Sequence, residues 1–207
     1  MTSDNTTATI PVNPSVSFTE LGLIPPLLAR LTDLEYTQPT PIQAQAIPSV
    51  LAGRDLIAGA NTGSGKTATF ALPMLQGIFN SQTAKSTNAT KGNYVSGLIL
   101  VPTRELAKQV ADNIKSYAAH FNGAIKTVAV FGGVSVNTQM LALRGGTDIL
   151  VATPGRLIDL ISSNAIKLDL VNTLVLDEAD RMLSLGFTEE LSALLALTPK
   201  KKQILLF

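Results

Sequence analysis

At 207 residues the chain is long enough for one domain with a substantial core, and with 45% hydrophobic and 15% charged residues most of it should be globular. Sixteen Lys and Arg against 15 Asp and Glu leave a formal charge of +1, so any surface for a polyanion must be local. The lack of cysteine and the single histidine, His120, exclude a disulfide framework, a thiolate or multi-histidine metal centre and a Ser-His triad built elsewhere. The first residues have neither the basic nor the apolar region of a secretory signal, and no apolar run approaches the roughly 18 residues of a membrane span. The sequence reads as cytoplasmic, with no membrane partner.

Residues 1–16 are polar and rich in Thr, Asn and Pro, and are expected to form a disordered leader. Order should begin around Phe18, with 17–207 as one domain. Pro25 and Pro26 suit a helix's first turn, and Leu27, Leu28 and Leu31 give it one apolar side. In Gln38-Pro39-Thr40-Pro41-Ile42-Gln43, Thr40 is an N-cap, Pro41 the first helical residue and Gln43 the third. That helix continues through Ile47, Val50 and Leu51 despite Pro48. A short apolar run at 55–59 leads to a Gly-rich turn and then to a helix over 68–78. The polar run 80–93 reads as a surface loop. Beyond it, apolar strands at 97–101, 125–131, 148–151, 173–176 and 203–207 alternate with helices at 105–121, 136–143, 155–161 and 178–197, the last broken near Gly186. His120 falls near a helix end, as a surface residue. Continuous apolar strands alternating with helices predict an α/β fold, a mostly parallel sheet covered on both faces, with ligands at the carboxyl ends of its strands.

The chemistry centres on Ala60-Asn61-Thr62-Gly63-Ser64-Gly65-Lys66-Thr67. A strand, a Gly-rich turn and a helix in that order turn successive N–H groups inward and add the positive end of the helix dipole. Lys66 reaches the outer phosphates of a nucleoside triphosphate and the Thr67 hydroxyl ligates Mg²⁺. Ala60 stands where the phosphate-loop pattern has its first Gly. Asp177-Glu178-Ala179-Asp180 ends an apolar strand. There Asp177 can hold Mg²⁺ through its shell, and Glu178 can orient or deprotonate a water attacking the γ-phosphate. Two adjacent carboxylates beside a phosphate site repel without a cation, so the pair itself argues for Mg²⁺. The bland alternatives are a Gly-rich turn that binds nothing and acids that favour a helix dipole.

Six blocks in order, Gln38 to Gln43, the phosphate loop, Pro102-Thr103-Arg104-Glu105-Leu106, Gly132-Gly133, Thr153-Pro154-Gly155-Arg156 and Asp177 to Asp180, resemble the N-terminal RecA-like domain of a DEAD-box ATP-dependent RNA helicase. The resemblance covers residues 18–207 and implies a three-layer α-β-α P-loop domain. It implies that Gln43 reads the adenine edge, its amide offering both a donor and an acceptor, with Phe18 packed against the base and Gln38 nearby. Thr62, Gly63, Ser64, Gly65, Lys66 and Thr67 would hold phosphates and Mg²⁺. Arg104, Gly133, Thr153 and Arg156 would contact the backbone of an RNA strand, a contact set with little base readout.

Glu35 stands where the family's motif has Gly, and Asn61 where Gln is commoner. The resemblance implies a Ser-Ala-Thr motif and a second RecA-like domain, with its arginine fingers, beyond Phe207, where this sequence ends. The expectation is therefore a truncated, monomeric ATP- and RNA-binding half that hydrolyses ATP very slowly alone, from a parent that couples hydrolysis to local duplex opening. The alternatives are a DNA-directed or other P-loop motor and a nucleotide-gated binding scaffold. Read singly, Arg104 is a helix-start residue pairing with acids, Thr153-Pro154 and Gly132-Gly133 are turns, and Lys200-Lys201-Lys202 is a solvated turn.

Overall fold

The structure, a computed structural model, describes residues 16–59, 63–84 and 92–207. Three sequence-derived expectations therefore lie outside the described residues: the leader apart from Val16, the assignment of Thr62 to the phosphates (with its neighbours Ala60 and Asn61), and 85–91 of the polar run. Val16 itself packs against the core.

A 3₁₀ turn at Phe18–Leu21 leads to helix α1 (Pro25–Asp33) and α2 (Pro41–Leu51), both opened by proline in the first turn. Strand β1 (Leu56–Ile57) precedes the phosphate loop, and α3 (Lys66–Ala84) follows it. Then come β2 (Val95–Leu100), α4 (Arg104–Tyr117), a 3₁₀ turn at Ala118–Phe121, and β3 (Thr127–Val130). The chain continues through α5 (Val136–Leu143), β4 (Thr147–Ala152), α6 (Pro154–Ser162), β5 (Thr173–Leu176), α7 (Ala179–Ser184), α8 (Thr188–Leu197) and β6 (Gln203–Leu206).

One expectation needs correction. Helix α3 runs on to Ala84, into the stretch read as a loop from residue 80. The polar residues there are satisfied by the helix itself: the Ser81 hydroxyl donates to the Gly77 carbonyl at 2.8 Å and the Thr83 hydroxyl to that of Phe79 at 3.1 Å. Phe79 packs its ring on Phe121, with centroids 4.7 Å apart, and so anchors the last turns without an apolar run.

Among the described residues the strands form one six-stranded sheet, ordered β1-β6-β5-β2-β4-β3, with every pair parallel. Alternation along the strands splits the core in two. Ile99, Val151 and Val175 face the layer of α1 to α4, while Leu98, Leu150 and Leu174 face the layer of α5, α6 and α8. Both faces are covered, as an all-parallel sheet requires. The parallel sense also sends the carboxyl end of every strand to one edge, where the motif blocks collect. His120 meets Asp33 at 2.6 Å, tying the second 3₁₀ turn to α1 at the surface. The lysine run forms an exposed turn in which Lys202 donates to the Pro199 carbonyl.

Candidate nucleotide and nucleic-acid site

The sheet ladder continues past the strand ends and lays the site residues side by side. The Asp177 amide donates to the Leu100 carbonyl at 3.0 Å, that of Val101 to Ala152 at 3.0 Å and that of Thr153 to Val130 at 3.1 Å. On the other flank, Phe207 donates to Leu176 and its carbonyl accepts from Ala179. The three loops after β2, β4 and β5 are thereby fixed to one another by main chain alone.

Lys66 and Thr67 are the first two residues of α3, so both project from the helix N-terminus at the phosphate loop. Gly63 and Gly65 have φ of +80° and +89°, which favours glycine. The loop is held from behind by α2. The Thr40 hydroxyl donates to the Ser64 carbonyl at 2.8 Å, and the Gln43 Nε2 donates to that of Gly65 at 3.2 Å. The Gln43 Oε1 accepts from the Thr40 amide at 3.0 Å, and its side chain is buried. Both ends of the amide are thus engaged within the protein. A cavity of about 730 Å³ opens beside it, between the first turns of α2 and β1, with Ser64 on its wall.

Asp177 is 4% exposed and its Oδ1 has no hydrogen-bond partner. Burial pushes its carboxyl above the usual range; the charge of Lys66 pulls it down, that of Glu178 pushes it up, and a main-chain hydrogen bond from Glu178 pulls it down. A buried, unpartnered carboxylate oxygen is costly, and a hard cation at this point would satisfy it. The residues present therefore fit Mg²⁺. Glu178 stands at the N-cap position of α7 with φ of +56° and makes no side-chain cap bond; its carboxylate is held by Arg181 at 2.9 Å.

Farther along the edge, Thr103 caps α4 by accepting from the Leu106 amide at 3.3 Å, which sets Arg104 in the first turn. The Arg104 guanidinium lies over the Phe131 ring, 5.3 Å from its centroid, and Lys108 lies 5.4 Å from the same centroid. Gly133, with φ of +79°, would place a Cβ 3.4 Å from the Arg104 Nη1. Thr153 sits at the N-cap of α6 with its side chain free of the cap. Arg156 turns inward: its side chain is 10% exposed, and its Nη1 donates to the Val134 carbonyl at 3.0 Å and to Gln139 at 3.2 Å.

Residues 40–207 match the DEAD/DEAH box helicase family. The chain belongs to that family. Over 191 residues it is 44% identical to the ATP-dependent RNA helicase DeaD of Klebsiella pneumoniae, an alignment that covers 92% of this chain and 28% of the relative. It is 41% identical to the DEAD-box ATP-dependent RNA helicase CshA of Streptococcus pneumoniae, covering 93% of this chain and 34% of the relative. The crystal structure of a DEAD box protein from Methanococcus jannaschii superposes with a TM-score of 0.80 at 36% identity, over 93% of this chain and 50% of that one. The chain thus spans about a third or less of the length of these curated relatives. The fold is the α/β architecture of the DEAD-box RecA-like domain.

Three residues that the sequence reading did not single out lie among the predicted ones: Tyr36, Lys108 and Gln139. Phe18 is buried beneath the ring of Tyr36, with centroids 6.3 Å apart, and Tyr36 is the half-exposed member of the pair. Gln38 is exposed. Lys108 adds a second cation one turn beyond Arg104; an i, i+4 count along α4 from Arg104 would have found it. Gln139 lies outside every motif block and carried no sequence signal. Among the described residues, no group of three or more His, Cys, Asp or Glu forms a metal cluster, and no helix is long and apolar enough to cross a membrane.

Proposed function

We propose that this chain is the ATP- and RNA-binding half of a DEAD-box RNA helicase whose whole couples ATP hydrolysis to local opening of an RNA duplex. The observation that carries the reading is the buried, unpartnered Oδ1 of Asp177, within the field of Lys66 at the phosphate loop. Lys66, with the loop amides of Gly63, Ser64 and Gly65, binds the triphosphate, and Thr67 and Asp177 would hold Mg²⁺. The cation when bound neutralises charge on the phosphate oxygens. Glu178 orients the attacking water once its carboxylate leaves Arg181. Gln43 selects ATP over GTP with the amide N–H and the carbonyl lone pair that its bonds to Gly65 and Thr40 leave unused. The loops that carry Arg104, Gly133 and Thr153 hold an RNA strand by its phosphates. An arginine from a second domain completes the transition-state charge, a contribution of about 10³–10⁵ in rate in related phosphoryl-transfer enzymes. Residues 17–207 therefore act as one monomeric RecA-like domain with little hydrolysis of its own.

The test is calorimetric titration of the chain with ATP and GTP in Mg²⁺, together with oligonucleotide binding. The expected result is ATP binding in preference to GTP, its loss in Lys66→Ala, and RNA binding in preference to DNA of the same sequence. A Lys66→Ala chain that binds ATP as well as the parent overturns the phosphate-loop assignment. Equal affinity for DNA would favour a DNA-directed motor.

A further inference from the structure

The geometry points to Gln139 as a positioning residue for RNA binding, an internal brace that works with Arg156 to fix the Gly132-Gly133 loop against Arg104; this rests on the RNA reading above. Gln139 is 6% exposed on α5 and both ends of its amide are used. Its Nε2 donates to the Phe131 carbonyl at 3.0 Å, and its Oε1 accepts from the Arg156 Nη1 at 3.2 Å. The same Nη1 donates to the Val134 carbonyl at 3.0 Å. Two carbonyls that flank the glycine pair are therefore held from beneath by one amide and one guanidinium.

A buried amide carries a desolvation penalty that an apolar side chain of the same size avoids, so its value here lies in the geometry it imposes. That geometry reaches the surface. The Phe131 main chain is pinned by Gln139, and the Phe131 ring is the platform on which Arg104 and Lys108 rest. Gly133 sits close enough to the Arg104 guanidinium that a shift of the loop would move both phosphate contacts together. The brace spans α6, α5 and the loop after β3, and Arg104 opens α4 next to it. Arg156, nine-tenths covered, is a strut in this arrangement.

The test compares the parent chain with Gln139→Leu, Arg156→Lys, the double variant and Arg104→Ala. Affinities are read by anisotropy for a fluorescein-labelled ten-nucleotide oligouridylate and, separately, for a fluorescent ATP analogue. Gln139→Leu and Arg156→Lys should each weaken RNA binding about five- to tenfold, with the double variant no weaker than the poorer single, because both break one network. Nucleotide affinity should stay within about twofold, which a loss of fold would not allow. If Gln139→Leu does not fold, Gln139→Glu keeps the volume and the acceptor for Arg156, cannot donate to Phe131, and should still weaken RNA binding. RNA affinity unchanged in the Gln139 variants while Arg104→Ala loses it overturns the brace alone, as does strict additivity with Arg156→Lys. No RNA binding by the parent, or none lost in Arg104→Ala, overturns the RNA reading and the brace with it.

Discussion

The Gln43 side chain joins the first turn of α2 to the phosphate loop, donating to the Gly65 carbonyl at 3.2 Å while accepting from the Thr40 amide at 3.0 Å. The same carbonyl accepts from the Thr69 amide and hydroxyl, so the loop is latched from both sides. A Cβ at Gly65 would overlap the Gln43 Nε2, at a φ of +89° that L side chains rarely adopt. Gly65→Ala should therefore break the latch and abolish ATP binding, with a stability cost of about 1–3 kcal/mol from the backbone alone. Gln43→Glu should also weaken nucleotide binding, because its carboxylate would face the Gly65 carbonyl without a proton to share. Thermal melts with and without ATP separate the two effects. A Gly65→Ala chain that melts and binds as the parent does would rule out the latch.

At neutral pH the charged form of Asp177 is less favourable in the fold than in water, since burial outweighs the attraction of Lys66. Asp177→Asn removes that charge and should raise the melting temperature of the nucleotide-free chain, by roughly 2–4 °C for each kcal/mol relieved. It should also abolish the further stabilisation that Mg²⁺ adds in the presence of ADP. Differential scanning calorimetry in EDTA and in Mg²⁺ decides it: a nucleotide-free Asp177→Asn chain that melts below the parent contradicts the cost assigned to burying this charge.

These two sites mark how far the sequence could be read. The sheet, its parallel sense and the edge shared by the motif blocks follow from continuous apolar strands such as 97–101 and 173–176, because burial on both faces leaves no other pattern. The phosphate loop and Asp177-Glu178 follow from residue types whose chemistry is specific at short spacing. Gln139 did not show, because a glutamine on a helix is ordinarily a solvated residue and only the fold reveals which carbonyls lie within its reach. The inward bonds of Arg156 did not show for the same reason: they depend on Val134 and Gln139, distant in sequence. Phe18 and Tyr36 are both aromatic and both upstream of Gln43, and only packing decides which ring is covered.

The Tyr117 phenol is held well above its ordinary value of 10, by burial first and then by the hydroxyl of Tyr36, 3.1 Å away. Below pH 10 both folded and unfolded chains keep this proton, and the pair's contribution is complete. As pH rises past 10 the unfolded chain releases the proton while the folded chain retains it, so stability falls. Urea melts between pH 8 and pH 11 should show a decline above pH 10 that is shallower in Tyr117→Phe. Equal slopes in the two chains would place the alkaline sensitivity elsewhere.

Gly146 lies before β4, at the amino ends of the strands and away from the phosphate loop. A Cβ there would approach the Tyr94 carbonyl oxygen to 2.7 Å and that of Gly92 to 3.0 Å, at a φ of +82°. Both neighbours are main chain and cannot rotate away, unlike the flexible Met74 thioether that a Cβ at Gly97 would meet. The Thr147 amide bonds the same Tyr94 carbonyl at 2.9 Å, so relief of the clash would cost the start of the β2–β4 pairing. Gly146→Ala should therefore destabilise the chain by about 2–4 kcal/mol, from overpacking and backbone strain together. That corresponds to roughly 5–15 °C in melting temperature for a domain of this size. Below the transition its ATP affinity should match the parent, because the strand ends that carry the phosphate loop and Asp177 lie at the opposite edge. Gly97→Ala is the internal comparison and should cost less. A Gly146→Ala chain that keeps its melting temperature but loses ATP binding would reverse the assignment of this glycine from structure to site.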